Sequence, residues 1–243
     1  MDDPFIFDLE TRPDYDALAR LRPFREEFDP STVNTNRLSK PESIAKRIEE
    51  AREAWDETPI EDRRRDHFAS VAKEELALLT PHLCHVGAVS FWTEDDGDQV
   101  RISDDEVKLV AGAMDRIAST GTVIGWNITG FDLPLLEIRA RLLGVPVPMG
   151  LRRGRYYAEH VVDLMTEWGA GQTGRDHRYG LKKVAIAALG MEPVPGDGKH
   201  WHLYDVMRQE AYCRWDIEAT RRAAEKLGII AGPLERVKRG LGG

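Results

Sequence analysis

The chain opens on an apolar run, Phe5-Ile6-Phe7, that turns into alternation at Asp8, Leu9 and Glu10. Such a run predicts a strand, and strand alternation sends Asp8 and Glu10 to one face. Residues 12–40, interrupted by Pro13, Pro23 and Pro30, read as irregular or partly helical. Ser39-Lys40-Pro41-Glu42 has the spacing of a capping box with proline in the first turn, and Ile44, Ile48, Ala51 and Trp55 follow as one apolar stripe at helical spacing. Thr58-Pro59-Ile60-Glu61 repeats the signature and predicts a second helix over residues 59–79. Its charged middle, Arg63-Arg64-Arg65-Asp66-His67, reads as a solvated face rather than a phosphate-binding patch.

Pro81 closes that helix, and residues 83–92 read as a buried strand. Residues 94–98 form a hairpin turn with Asp96-Gly97 at its tip, and residues 99–102 the return strand. Ser103-Asp104-Asp105-Glu106 is a third capping box, opening a helix through Val107, Val110, Met114 and Ile117. Residues 121–125 are a short buried strand. Asp132 and Pro134 mark a helix start, and that helix runs through Leu135, Ile138 and Leu142 to Gly144. A loop over 149–160, a strand over 160–164, a flexible glycine-containing stretch over 169–180 and a short amphipathic helix over 180–190 follow. A loop over 191–201 and a long helix over 204–227 complete the pattern, and the basic tail after Gly232 is expected to fray. This order predicts an α/β layered domain with a mixed sheet and a helical insertion at about 12–80.

Composition narrows the class. At 243 residues the chain suits one large domain, with ordinary apolar (42%) and charged (31%) content for a globular protein. No apolar stretch approaches membrane-span length. The acidic start, Met1-Asp2-Asp3-Pro4, is unlike a signal peptide, and the two cysteines, Cys84 and Cys213, read as buried thiols. Both features suit a cytoplasmic location and no membrane. A net charge of -8 argues against affinity resting on a broad basic surface. It leaves room for a nucleic-acid enzyme whose catalytic acids are neutralised by metal.

Three stretches carry candidate chemistry. Asp8 and Glu10 place like charges side by side, an arrangement that a divalent cation with a taste for carboxylate oxygen, Mg²⁺ or Mn²⁺, would resolve. Asp132 stands just past a strand at a helix start, within Asn127-Ile128-Thr129-Gly130-Phe131-Asp132. Tyr212 and Asp216 lie four apart in the last helix and share a face. In this order the three stretches resemble the motifs of the DEDD, or DnaQ-like, superfamily of 3′–5′ exonucleases. Tyr212, four residues before Asp216, is similar to the tyrosine subclass (DEDDy); the histidine subclass would need histidine at Ala211. Within the subclass the chain most resembles the stand-alone branch related to the proofreading domain of family-B DNA polymerases.

The resemblance implies a ribonuclease H-like three-layer fold and two-metal phosphodiester hydrolysis at DNA 3′ ends, single-stranded preferred, releasing nucleoside 5′-monophosphates. It implies two divalent ions held by Asp8, Glu10, Asp132 and Asp216. Tyr212 would orient the attacking water, since a phenol with a pKa near 10 is a poor base at neutral pH. It assigns Thr11, Asn127 and Phe131 to the terminal nucleotides. Arg152, Arg153 and Arg155, with Arg175, Arg178, Lys182 and Lys183, form a local positive excess suited to the phosphate backbone. An exoribonuclease of the same fold and a non-catalytic binding or scaffold module are the alternatives. Residues 41–79 are a candidate surface for a replication or repair partner. His200 and His202 could ligate metal but read as incidental beside the carboxylates, and Asp163 reads as a supporting group or a helix cap.

Overall fold

The computed structural model describes residues 4–153, 156–171, 179–194 and 196–231. The opening apolar run becomes strand β1 (Pro4–Pro13). Residues 14–83 then leave the sheet, and the chain returns as β2 (Cys84–Thr93) and β3 (Gly97–Ile102), an antiparallel hairpin in which Thr93 faces Gly97 and Ala88 faces Ile102. Helix α4 (Glu106–Ser119), strand β4 (Thr122–Gly125) and helix α5 (Asp132–Leu143) follow. Helices α1 (Tyr15–Leu21), α2 (Pro41–Glu57) and α3 (Ile60–Glu74) belong to the stretch between β1 and β2. Two-residue strands β5 (Arg152–Arg153) and β6 (Tyr156–Tyr157) pair with each other; then come β7 (Val161–Asp163), α6 (Leu164–Trp168), α7 (Leu181–Leu189) and α8 (Val206–Lys226).

The sheet runs in the order β3-β2-β1-β4-β7. Parallel pairing of β1 with β4 and of β4 with β7, beside the antiparallel hairpin, makes it mixed. Phe5, Phe7 and Leu9 point to one face of β1 and pack with Leu109, Val110, Met114 and Ile117 of α4 and Leu133 and Leu136 of α5. Ile6 points the other way, onto Ile217, Ala223 and Ala224 of α8. The result is helices, sheet, helices in three layers. Asp8 and Glu10 share the face of Ile6, so alternation along β1 turns both carboxylates toward the layer that holds α8.

Pro13–Leu83 forms a compact unit of its own. It contains α1 (Tyr15–Leu21), α2 (Pro41–Glu57) and α3 (Ile60–Glu74), and a hydrogen bond of 2.9 Å from the Asp14 amide to the Leu83 carbonyl brings its two ends together. Its core is small: Leu18, Val71 and Ala77, flanked by Phe68, Ala72 and Leu83. No residue of α2 is fully buried; Ile44, Ile48, Ala51 and Trp55 form the partly covered stripe that their spacing predicts.

Several expectations shift. The capping boxes at Ser39 and Thr58 do not form: Lys40 and Pro59 stand at the caps with no side-chain bond, and Pro41 takes the first turn. Helix α3 ends at Glu74 rather than 79, because Leu76 adopts a left-handed φ of 49° that stops the helix. In α4 the cap is Asp105, which accepts from the Lys108 amide, while Glu106 turns inward to bind Arg139. The charged middle of α3 is more than a solvated face: the Arg63 guanidinium lies 4.5 Å over the Trp55 ring and Arg64 5.8 Å over Phe24. The loop over 149–160 contains the β5–β6 pair. Most of 169–180 and the whole tail from 232 lie outside the described residues.

Candidate functional site

Asp8 and Glu10 reach the site from the middle of β1, and Tyr212 and Asp216 from one face of α8. Asp8, Glu10 and Asp216 each bring a carboxylate oxygen within 4.8 Å of the others. The Tyr212 hydroxyl donates to Asp216. Asp132, buried in the first turn of α5, stands beside this triad. Its Oδ1 accepts the amide of Leu9 at 3.1 Å, the residue between Asp8 and Glu10. A single hydrogen bond therefore ties the second stretch to the backbone of the first.

The electrostatics are those of crowded, buried acids, with the charge of Lys182 reaching Asp216 alone among the four. Burial raises Asp8 to about 7 from an ordinary 3.8. Glu10 is pushed well up by burial and by Asp8, Asp216 and Asp132. Burial and Asp8 raise Asp132, against the pull of the Leu9 amide. Asp216 rises through burial and Asp8, opposed by the Tyr212 hydroxyl and by the charge of Lys182. Burial, then the carboxylates of Asp216, Glu10 and Asp8, push the Tyr212 phenol far above its usual range, so it stays neutral at any working pH.

A divalent cation fits this donor set. The Oδ2 atom of Asp8 is buried and has no hydrogen-bond partner among the described residues. Leaving a carboxylate oxygen so placed is costly unless something positive meets it. The three clustered groups offer only oxygen, the preference of Mg²⁺ and Mn²⁺.

The expected substrate residues are placed unequally. Thr11 is buried, on the face of β1 opposite Glu10. Asn127 adopts a left-handed φ of 57° at the end of β4, and Phe131 is half-buried against the core that α4 and α5 form. Arg152 and Arg153 lie in β5, with side chains outside the described residues; Arg155, Arg175 and Arg178 fall outside them altogether. Lys182 and Lys183 are exposed in the first turn of α7, and Lys182 is the cation whose charge reaches Asp216. His200 is exposed, 3.9 Å from Asp197, and neither it nor His202 belongs to the acidic triad.

One neighbour of the site was not legible in the sequence. The 3-10 turn Gly198–Leu203 packs onto the start of α8, and a Cβ at Gly198 would lie 2.9 Å from the Tyr212 hydroxyl oxygen and 4.0 Å from Glu10 Oε2. Glycine spacing alone gives no hint of such an approach, since it depends on where Trp201 anchors the turn. Trp201 is buried and donates its indole N–H to the Gln209 carbonyl.

No family model and no curated protein sequence matches the chain. Among solved structures it is similar to the family B DNA polymerase from the hyperthermophilic archaeon Pyrobaculum calidifontis, with 19% sequence identity and a TM-score of 0.51. The match covers 93% of this chain and 24% of the polymerase chain. Identity at that level speaks to fold: an α/β three-layer architecture of the ribonuclease H-like kind, with a mixed five-stranded sheet between helices.

Proposed function

We propose that this chain is a metal-dependent 3′–5′ exonuclease of the DEDD superfamily, tyrosine subclass, that removes nucleoside 5′-monophosphates from single-stranded DNA 3′ ends. The observation that carries the reading is the convergence of Asp8 and Glu10 on β1 with Tyr212 and Asp216 on α8, with Asp132 bonded to the backbone between the first two. Motifs more than 200 residues apart in sequence meet as one oxygen-rich cluster. Likeness in fold to a family B DNA polymerase supports the same reading.

Divalent ions at such a site supply Lewis-acid stabilisation of a phosphoryl group and a more acidic water. The chain's own groups do the rest. Asp8, Glu10, Asp132 and Asp216 would hold the cations, and since protonation removes a carboxylate's charge, acid would weaken that hold. Tyr212 remains a neutral phenol, unable to take a proton from water as a base. Its hydroxyl, fixed by Asp216, positions the water for in-line attack on phosphorus as the 3′ oxygen leaves. The side chains of Asn127 and Phe131 serve the terminal nucleotides, and Arg152, Arg153 and Arg155 the phosphates upstream.

The test is a set of 5′-labelled single-stranded DNA, duplex DNA and RNA oligonucleotides with Mg²⁺ or Mn²⁺. Stepwise shortening from the 3′ end is expected on single-stranded DNA, with loss of at least about 10³-fold in Asp8→Ala, the scale on which removing a key electrostatic group acts. Faster cleavage of RNA would reassign the substrate, and no metal-dependent cleavage of any end would refute the nuclease reading.

A further inference from the structure

Strand β7 ends in a carboxylate that none of these roles uses. Asp163 is buried and sits opposite Gly125 in the β4–β7 register. Its Oδ1 accepts the Asn127 amide at 3.0 Å and the Met165 amide at 3.1 Å. Its Oδ2 accepts the Thr129 amide at 3.0 Å and the Thr129 hydroxyl at 2.6 Å. Capping α6 explains only the bond to Met165. The other three go to the turn that leaves β4.

That turn needs holding. Asn127 is one of three non-glycine residues at positive φ among those described, a conformation that persists where the surroundings impose it. Its side chain folds over Gly130 so closely that a Cβ there would lie 2.5 Å from Asn127 Oδ1. The Asn127 carbonyl accepts the amides of both Gly130 and Phe131, and the Ile128 carbonyl that of Leu133. The turn thus delivers Asp132 into α5 at the point where its carboxylate meets the Leu9 amide.

We infer that Asp163 is a positioning residue of the candidate site: from the neighbouring strand it locks the 127–130 turn, and through it sets where Asn127 and Asp132 stand relative to Asp8. A carboxylate with four donors aimed at it from three residues is a clamp on backbone geometry, and charge-assisted bonds are the stronger kind. The group acts through Asp132 and touches no substrate. The inference rests on the proposed function for its kinetic and Mn²⁺ arms, whereas the amide-exchange arm rests only on the bonds of Asp163.

Two variants of the full chain test it. Asp163→Ser keeps an oxygen able to cap the Met165 amide and drops the bonds to the turn. Asp163→Asn keeps the volume but turns an amide N–H₂ toward donors on one side. Three quantities are read: Mn²⁺ affinity by calorimetry, hydrogen exchange at the Asn127 and Thr129 amides, and the split between kcat and KM on single-stranded DNA. Expected are folded proteins, Mn²⁺ affinity lower by about 10–100-fold, as for other groups that orient metal ligands, faster exchange at Asn127 and Thr129, and a fall in kcat that exceeds any change in KM. Mn²⁺ affinity within twofold of wild type in both variants, with only α6 amides exchanging faster, would show Asp163 to be a cap and overturn the inference. If wild type binds Mn²⁺ but cleaves nothing, while both variants bind it more weakly, the nuclease reading fails and the positioning role stands.

Discussion

Asp8 shows what it costs to bury a carboxylate against its neighbours. Its pKa of about 7 lies above the ordinary 3.8, so folding favours its protonated form. A group raised in this way contributes stability that is full below about pH 4 and is lost as pH rises through about 7. Without metal, wild type should therefore melt at a lower temperature at pH 8 than at pH 5, and Mn²⁺ should reverse the loss. Asp8→Asn should flatten the trend, because an amide does not titrate. Melting curves in chelator across this range check it, and identical pH slopes for the two proteins would rule it out. Gly198 makes the second argument at this scale. A methyl group 2.9 Å from the Tyr212 oxygen forces either the phenol or the 198–203 turn to move. Since an error of about 1 Å in a catalytic position can cost on the order of 10²-fold, Gly198→Ala should lower turnover about 10–100-fold with the melting temperature nearly unchanged. Full activity in that variant would mean the turn yields freely.

At the scale of elements, α4, α5 and β2 are joined by one buried ionic cluster. Arg139 on α5 donates to both oxygens of Glu106 on α4, at 2.7 and 2.5 Å, and Glu106 also binds His85 Nδ1 at 2.9 Å and the Val86 amide at 2.8 Å on β2. Burial alone would raise Glu106, but the bonds from Arg139, His85 and Val86 outweigh it and its pKa is lowered. Removing one partner strands the other charge, which for buried pairs costs about 3–5 kcal/mol. Glu106→Ala should lose stability on that scale in urea unfolding, whereas a loss under about 1 kcal/mol would place the cluster among weak surface pairs. This cluster also marks where sequence reading stops. Apolar runs and periodicity placed β2, β4, α5 and α8 closely, because burial of one face is written locally, while β1 extends to Pro13, into the stretch whose prolines read as irregular. The spacing of Tyr212 and Asp216 placed two site groups on one helix face for the same reason. The capping box at Ser103–Glu106 misled, because Glu106 has a partner 33 positions away that local spacing cannot encode. Asp163 was readable as a cap, but its bonds to Asn127 and Thr129 depend on β7 lying beside β4. Phe131, at the end of the second motif, has one side against the core that α4 and α5 build, a contact local spacing does not encode.

The molecule as a whole is a sheet domain interrupted after its first strand. Every candidate ligand lies in residues 1–12 or 84–243, and none in Pro13–Leu83. The excursion leaves and returns at one place, since the Asp14 amide and the Leu83 carbonyl are hydrogen-bonded. Its own core is the cluster Leu18, Val71 and Ala77 with Ala17 buried nearby, too little to account for a unit of this length by burial alone. What holds it beyond that core is aromatic and cationic: Phe24 and Phe28 against Trp55, with Arg63, Arg64 and Arg52 over the rings. These contacts all lie inside the unit. Loop closure depends only weakly on length, so exchanging 14–83 for a short glycine-serine linker should cost little in chain entropy. The shortened chain should fold, bind Mn²⁺ within a few-fold of wild type, and keep cleaving short single-stranded oligonucleotides. A shortened protein that folds and binds Mn²⁺ but fails on long substrates or loses processivity would assign the excursion to handling the polymer. Loss of Mn²⁺ binding in a protein that still folds would show that the acids need the excursion to hold their geometry, and the separation argued from their positions would be wrong.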